Sequence, residues 1–376
     1  MKSVLPPIPA TPPHVSLNLV RIVDLPGMPI DDEVRGQQAY DLLSNPAVIR
    51  YVREQAGALK LPAAFAQDSI QTQVELPRFV SHCLDNSDET VRAAAQAIGR
   101  RLGRNLGHVL LTLRRGDAVN RAARPDWTAQ DWERWGKIER VWLGGGLVSG
   151  RLGEQIMAHA RAFLAQAGHK GRPQIALTSC PRATTLLGAA RYLPATSRHA
   201  LCLDFGHTSV KRACLIFEGG TITRLHRYAR LPVDQTGLDT SRGPDPDAGR
   251  WVLDFVANAV AQTWGESLRD GLPPDPDIML SVAAYVRGGR LLGLGLYVNL
   301  NELADDARPL LAEAVKARVG QPVWVHLIHD GTAACAVHAG EPHTAMVLLG
   351  TAMGIGFPPA EARGLRPLAP TLFQGA

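Results

Sequence analysis

Cysteine is scarce in this chain: five in 376 residues, Cys83, Cys180, Cys202, Cys214 and Cys335, with no two in a CxxC or similar spacing. A zinc knuckle and a disulfide framework both need clustered or paired thiols, so neither is signalled and the five read as core thiols. No stretch approaches the roughly 20 uninterrupted apolar residues of a membrane helix, and the opening MKSVLPPIPATPP is too broken by proline for the apolar region of a secretory signal. A cytoplasmic protein with no membrane partner is the expectation. Lysine is rare as well: of 40 cations, 34 are arginine, dispersed without a dense run. A net charge of +5 spread in this way argues against a nucleic-acid partner.

What the chain does have is apolar mass. With 45% hydrophobic residues over 376 positions, it can bury a large core and divide into two lobes. A proline-rich opening, residues 1–14, precedes a mainly helical stretch. Within it, DETVRAAAQAIGRRLGRNLGHVLLTLR places apolar residues three and four apart and predicts a long amphipathic helix over 88–114. KIERVWLGGG then runs from a strand into three glycines and a helix, QIALTSC and TTLLGAARYL add a strand and a helix, and PATSRH, 194–199, reads as a linker. From ALCLDFG onward the texture changes to strands. VKRACLIFEGG and TITRLHRYA form a hairpin about Glu218-Gly219-Gly220. Next come WVLDFVANAVAQTW as a helix, DIMLSVAAYV as a strand, LLAEAVKARVG as a helix, VWVHLIHDG as a strand, GTAACAVHAG as a helix and TAMVLLGTAMGIGF as a strand ending in a glycine loop. The alternation predicts the α/β class with mixed sheets.

Chemistry is expected in the loops at the strand ends. LCLDFGHTSVK sets Asp204, Gly206, Thr208 and Lys211 on one tight turn. Gly206 removes a side chain where a polyphosphate would pass, Thr208 and Lys211 can donate to phosphate oxygens, and Asp204 can hold a hydrated magnesium ion through water. The same residues also suit a plain hairpin with polar surface positions. In LIHDGTAACAV, Asp330 falls between an apolar strand and a helix, where the helix dipole favours a carboxylate able to accept a proton. An aspartate so placed also serves simply as a helix cap. Gly350, Thr351, Gly354 and Gly356 form a strand-end loop that can wrap a phosphate, and Gly144, Gly145 and Gly146 offer bare backbone to a flat nucleoside. Glycines also serve turns that bind nothing.

Together these segments resemble the ROK family, the sugar-kinase branch of the actin, sugar kinase and Hsp70 superfamily. There a DxGxTxxK hairpin binds phosphate, an aspartate after a strand is the base, an LGTGxGxG loop grips phosphate and a GGG loop covers adenosine. Their order differs: the GGG loop, last in the family, here precedes the hairpin. The resemblance therefore implies a circularly permuted, two-lobed actin-like ATPase (ribonuclease H-like) fold. Residues 15–195 match the family's C-terminal half, 200–330 its N-terminal half, and 331–376 the start of the second lobe with a proline-rich tail. YDLLSNPAVIRYVREQAG at 40–57 and LLGAARYL at 186–193 resemble family helices. The family's zinc signature is missing near residues 25–40, so no structural zinc is expected, and its sugar-binding His and Glu are absent too, with Tyr40 and Asp41 where the second glutamate would fall.

Further departures touch the acceptor pocket. The asparagine that normally precedes the base is His329, the family's Pro-Gly turn is Ala284-Tyr285, and Asn299 matches a loop asparagine. His329, Asn299 and Tyr285 are accordingly substrate candidates, each equally suited to packing. The resemblance implies an ATP- and magnesium-dependent phosphotransferase acting on a hydroxyl of a carbohydrate-like small molecule, a homodimer, with Asp330 as base and with Asp204 facing it across a gap between lobes. A catalytically inactive ATP-binding regulator of the same fold is the alternative, and a repressor is disfavoured because residues 1–40 lack the pattern of a helix-turn-helix.

Overall fold

The structure is a computed structural model that describes residues 6–65, 69–168, 173–235 and 245–373. Of the proline-rich tails expected above, residues 1–5 and 374–376 lie outside the described residues. The strands in chain order are β1 (Arg140–Gly144), β2 (Gln174–Leu177), β3 (His199–Phe205), β4 (Ser209–Glu218), β5 (Thr221–Pro232), β6 (Asp277–Val282), β7 (Tyr285–Arg287), β8 (Arg290–Leu292), β9 (Trp324–His329), β10 (Thr344–Leu349) and β11 (Met353–Gly356). Mixed with helices throughout, they form an α/β protein. No helix among the described residues is long and apolar enough to cross a membrane.

The chain separates into two compact units. A helical unit comprises His14–Arg182 and Pro342–Ile355, and a hairpin unit comprises the residues up to Pro13, Ala183–Glu341 and the residues from Gly356 on. The helical unit carries a sheet of order β11-β10-β1-β2, in which β10, β1 and β2 run parallel. Its longest helix, Glu89–Arg115, starts where the Asp88 carboxylate accepts from the backbone N–H groups of Thr90 and Val91, and ends at Gly116 with φ 53°. Along it Gly99, Gly103 and Gly107, four residues apart, face helix Arg151–Gln166. A Cβ at Gly103 would lie 2.5 Å from His159 Cβ and one at Gly107 2.5 Å from the Phe163 ring. Bare glycine at one face lets the two backbones approach closely.

The hairpin unit is built on a sheet of order β5-β4-β3-β6-β9. β3, β4 and β5 are antiparallel neighbours, whereas β3, β6 and β9 are parallel, so the sheet is mixed. Strand alternation sends Leu201, Leu203 and Phe205 of β3, with Ile278, Leu280 and Val282 of β6, into one apolar cluster with helices Pro246–Arg269 and Ala307–Val319. Cys202 and Asp204 consequently point to the opposite face. All six residues of β6 are buried, as expected of a central parallel strand covered on both faces.

Two elements differ from the sequence reading. DIMLSVAAYV is not one strand: β6 stops at Val282, and Tyr285 opens a separate small hairpin, β7–β8, closed by Gly288 and Gly289 at φ 60° and 87°. The glycine loop after β10 returns to the sheet as β11. The proline-rich C-terminal segment is tied into the hairpin unit, with Arg366 N–H donating to Arg191 O at 2.8 Å and Leu368 bridging to Ile222.

Candidate active site

Sheet register collects the candidate residues of the hairpin unit. Asp204 on β3 lies opposite Lys211 on β4 and opposite Ser281 on β6, and one step further Phe205, Val282 and His329 stand in a row. These positions are the carboxyl ends of the parallel strands β3, β6 and β9, where open α/β sheets present their ligand sites. Asp204 is 4% exposed. Its Oδ2 pairs with Lys211 Nζ at 2.6 Å and its Oδ1 accepts from the Ser281 hydroxyl at 3.1 Å.

The turn between β3 and β4 is tight. Gly206 N–H donates to Ser209 O at 3.2 Å, and Gly206 O accepts from the buried Tyr297 hydroxyl at 2.7 Å. A Cβ at Gly206 would stand 3.2 Å from Ser209 O, closer than such contacts normally come. Burial, then the Asp204 charge, pushes the Tyr297 phenol up, so it stays a neutral donor and pins the loop. Thr208 O accepts from Val233 N–H at 3.2 Å, leaving the Thr208 side chain half-buried at the turn.

Asp330 opens helix Asp330–Cys335 directly after β9. It is not the helix cap. That role belongs to His329, whose Nδ1 accepts from the Thr332 backbone N–H at 3.2 Å. Asp330 Oδ1 accepts from Gly331 N–H at 2.6 Å and lies 3.1 Å from His329 Nε2. Burial first, then the Asp204 charge, pushes the Asp330 carboxyl up to about 6, against the opposing pull of Gly331 N–H, His207 and Lys211. Asp204 and Asp330 belong to one unit and hang from strands that flank β6. The expectation that they face each other across a gap between lobes is therefore corrected.

The substrate candidates are placed as follows. His329 is 5% exposed, burial drives its imidazole down to about 3, and its ring stacks on Tyr285 with centroids 4.3 Å apart. Asn299 is 4% exposed and committed to the fold: its Oδ1 accepts from Asp245 N–H at 2.8 Å and its Nδ2 donates to Leu296 O at 2.7 Å. It ties a 3-10 segment to the start of helix Pro246–Arg269. Gly356 packs rather than opens, since a Cβ there would fall 2.0 Å from Gly331 O, beside the helix that carries Asp330.

The other glycine candidates lie in the helical unit, side by side at the ends of β1 and β10. Leu147 N–H donates to Leu349 O at 3.1 Å and links the two loops. Gly145, at φ 95°, has a position where a Cβ would lie 2.3 Å from Leu349 O, whereas one at Gly146 would meet nothing within 4 Å. Gly350 O accepts from Asn45 N–H at 2.8 Å. Thr351 is half-buried beyond it, and Gly354 lies half-buried within β11.

Four residues with a place in this constellation escaped the sequence reading: Ser281, Thr332, Tyr297 and His207. Burial holds the His207 imidazole below its usual range while the Asp330 charge pulls it up. His207 sits in the motif at a variable position, and Ser281 becomes visible only once β3 and β6 are aligned. Among the described residues no group of three His, Cys, Asp or Glu side chains could hold a metal ion alone. The Asp204 carboxylate nevertheless suits magnesium held through water, since that ion takes one or two carboxylates with waters and substrate phosphates, and the Lys211 ammonium already rests against it. Compared with models of known protein families and with curated protein sequences, the chain matches none.

Proposed function

We propose that the protein is an ATP-dependent phosphotransferase of the ROK sugar-kinase type, with a circularly permuted actin-like fold and a carbohydrate-like alcohol as acceptor. The observation that carries this reading is the pairing of Lys211, Asp204 and Ser281 by sheet register, with Asp330 following His329 directly at the end of β9. The mixed sheet with an antiparallel hairpin and the order of the four motifs along the chain support the fold reading. Magnesium, when bound at Asp204 through water, would neutralise charge on the phosphates.

In this reading Asp330 accepts the proton of the acceptor hydroxyl as that oxygen forms its bond to the γ-phosphorus, and the bond from phosphorus to the ADP oxygen breaks. Lys211 leaves its pairing with Asp204 to donate to phosphate oxygens, and Thr208 adds a hydroxyl donor. A carboxyl pushed up to about 6 is ionised at neutral pH yet basic enough to take the proton. The resemblance assigns adenosine to Gly144, Gly145 and Gly146, and phosphate to Gly350, Thr351 and Gly354.

The commitment of Asn299 and the burial of His329 favour a second reading, in which the chain binds ATP as a regulator without an acceptor. One experiment separates the two. Purified protein with MgATP is offered a panel of sugars and polyols, alongside Asp330→Asn. Phosphorylated product from the parent and none from the variant, with nucleotide affinity unchanged, supports the kinase. Nucleotide binding without product from either leaves the regulator.

A further inference from the structure

A cavity opens in the hairpin unit at the ends of β3 and β4 that lie away from Asp204 and Lys211. Its volume is about 490 Å³, and Arg198, His199, Ile216, Phe217, Glu218 and Arg224 line it together with the Gly219-Gly220 turn. Register puts His199, Ile216 and Arg224 in one row across β3, β4 and β5, so their side chains leave the same face of the sheet. His199 opens β3 and Asp204 stands near its other end, which separates the cavity from the candidate active site by about 17 Å of strand.

The charges at this cavity are not balanced. Arg198 and Arg224 are exposed, and among the described residues neither guanidinium has an ion pair or a hydrogen bond. Asp275, which meets this segment, accepts through Oδ2 from the backbone N–H groups of Arg198 and His199 instead. Arg366 stands beside the Gly220 edge: a Cβ built on Gly220 would lie 3.6 Å from Ala195 O and 3.9 Å from Arg366 Nη1. Arg366 Nη2 donates to Gly364 O at 2.6 Å, while its Nε is buried with no acceptor among the described residues. Glu218 is the one acidic residue in the lining, and the His199 imidazole is held by Nδ1 donating to Pro273 O at 3.2 Å. Three guanidiniums against one carboxylate leave a net charge of +2.

We propose that this cavity binds a small organic phosphate monoester. Such an ester carries about −1.5 to −2 charge at neutral pH, which matches the excess at the site, and guanidinium forks meet its oxygens two at a time. A bare phosphate ion would leave most of the space empty, whereas Ile216 and Phe217 offer an apolar floor to the carbon part of an ester. The volume is that of a small-molecule site. The phosphotransfer reading uses none of these residues, so the two stand or fall separately.

Calorimetric titration of the full chain with glycerol 3-phosphate tests the proposal, at low ionic strength because salt screens exposed charges. The double variant Arg198→Met, Arg224→Met keeps the apolar stems and removes the charges, so it should melt with the parent and bind ATP equally well. It is expected to bind the ester at least about tenfold more weakly than the parent, whereas Lys211→Met, altered at the β3–β4 turn, keeps the parent's affinity. Glu218→Gln should tighten binding about two- to threefold, since it removes an opposing charge. Affinity lost in Lys211→Met and kept in the double variant would move the ligand to the β3–β4 turn and overturn the proposal. So would the absence of binding, by calorimetry and by thermal shift, up to about 10 mM ester. If the double variant melts below the parent, Glu218→Gln decides alone, and unchanged or weaker affinity overturns the site. Inorganic phosphate and succinate are titrated alongside, and either one binding as tightly as the ester overturns the ligand class.

Discussion

Asp204 and Lys211 face each other across the register position next to the Phe205–Val210 pair that closes the β3–β4 turn, carboxylate to ammonium at 2.6 Å, with side chains 5% and 23% exposed. A carboxylate held this deep depends on its partner, because losing one member of a buried pair leaves the other desolvated and uncompensated. Lys211→Met is expected to cost roughly 2–4 kcal/mol in denaturant unfolding, with Ser281 left as the remaining side-chain donor to Asp204. Adding magnesium chloride should raise the melting temperature of this variant more than that of the parent, since the ion can replace the ammonium. An unchanged response to magnesium would count against Asp204 as the metal-side carboxylate.

Asp330 makes a pH-dependent prediction whose sign follows from its raised value. The folded state holds this proton more tightly than the unfolded chain, moving the carboxyl from 3.8 to about 6. The stabilising contribution is therefore complete below about pH 4 and lost as pH rises through about 6. Asp330→Asn has no charge to bury, so at pH 8 it should be more stable than the parent by the order of 1–3 kcal/mol, with the gap closing toward pH 4. Thermal melts of both proteins from pH 4 to 8 check this. In phosphotransfer, the parent should lose kcat/KM below about pH 6 in proportion to protonated Asp330.

Local signals carried the fold class and half of the site. The Glu218-Gly219-Gly220 turn fixed the hairpin, Asp88 and Gly116 bounded the long helix within a residue or two of its periodicity, and Asp330 stands at the strand–helix junction where VWVHLIHDG places it. The break at Val282 was legible in principle: the RGGR of β7–β8, directly after the run read as one strand, is a two-glycine hairpin signal that claims Tyr285 and Val286 for its first arm. What depends on register was not legible. Ser281 meets Asp204 only because β3 and β6 pair, Asn299 is consumed by Asp245 more than 50 positions away, and Gly356 is needed for its contact with Gly331 rather than for a ligand. Histidine is no favoured cap, so nothing in the sequence said that His329 would take that place and free Asp330 from it.

Arg191 anchors the C-terminal segment. At 7% exposure its Nε donates to Arg366 O at 2.8 Å and its Nη1 to Ala336 O and Val337 O, so a buried guanidinium is satisfied by carbonyls. Arg191→Ala removes these donors from the carbonyls of Arg366, Ala336 and Val337, of which Ala336 O keeps the Ala339 N–H, at an expected cost of about 1–3 kcal/mol. Trypsin should then cut after Arg363, before Gly364, faster than in the parent. A cleavage pattern identical to the parent's would mean that other contacts, such as Ile222 N–H to Pro367 O, hold the segment alone.

The glycines separate packing from ligand contact. A Cβ at Gly356 would fall 2.0 Å from Gly331 O, and one at Gly145 2.3 Å from Leu349 O at a backbone φ of 95°. Both atoms belong to backbone, which cannot swing away as a side chain would, so each Gly→Ala substitution should destabilise by about 1–3 kcal/mol or more. Gly356→Ala should additionally displace the helix that begins at Asp330. Gly146 has open space around the same hypothetical atom and no left-handed φ. Gly146→Ala should therefore leave stability within about 0.5 kcal/mol of the parent. If adenosine lies on this loop, the new methyl occupies that space, so ATP affinity falls while the melting curve stays put. Equilibrium binding of a fluorescent ATP analogue to Gly146→Ala and to the parent reads the difference, and equal affinity would remove the nucleoside from Gly146.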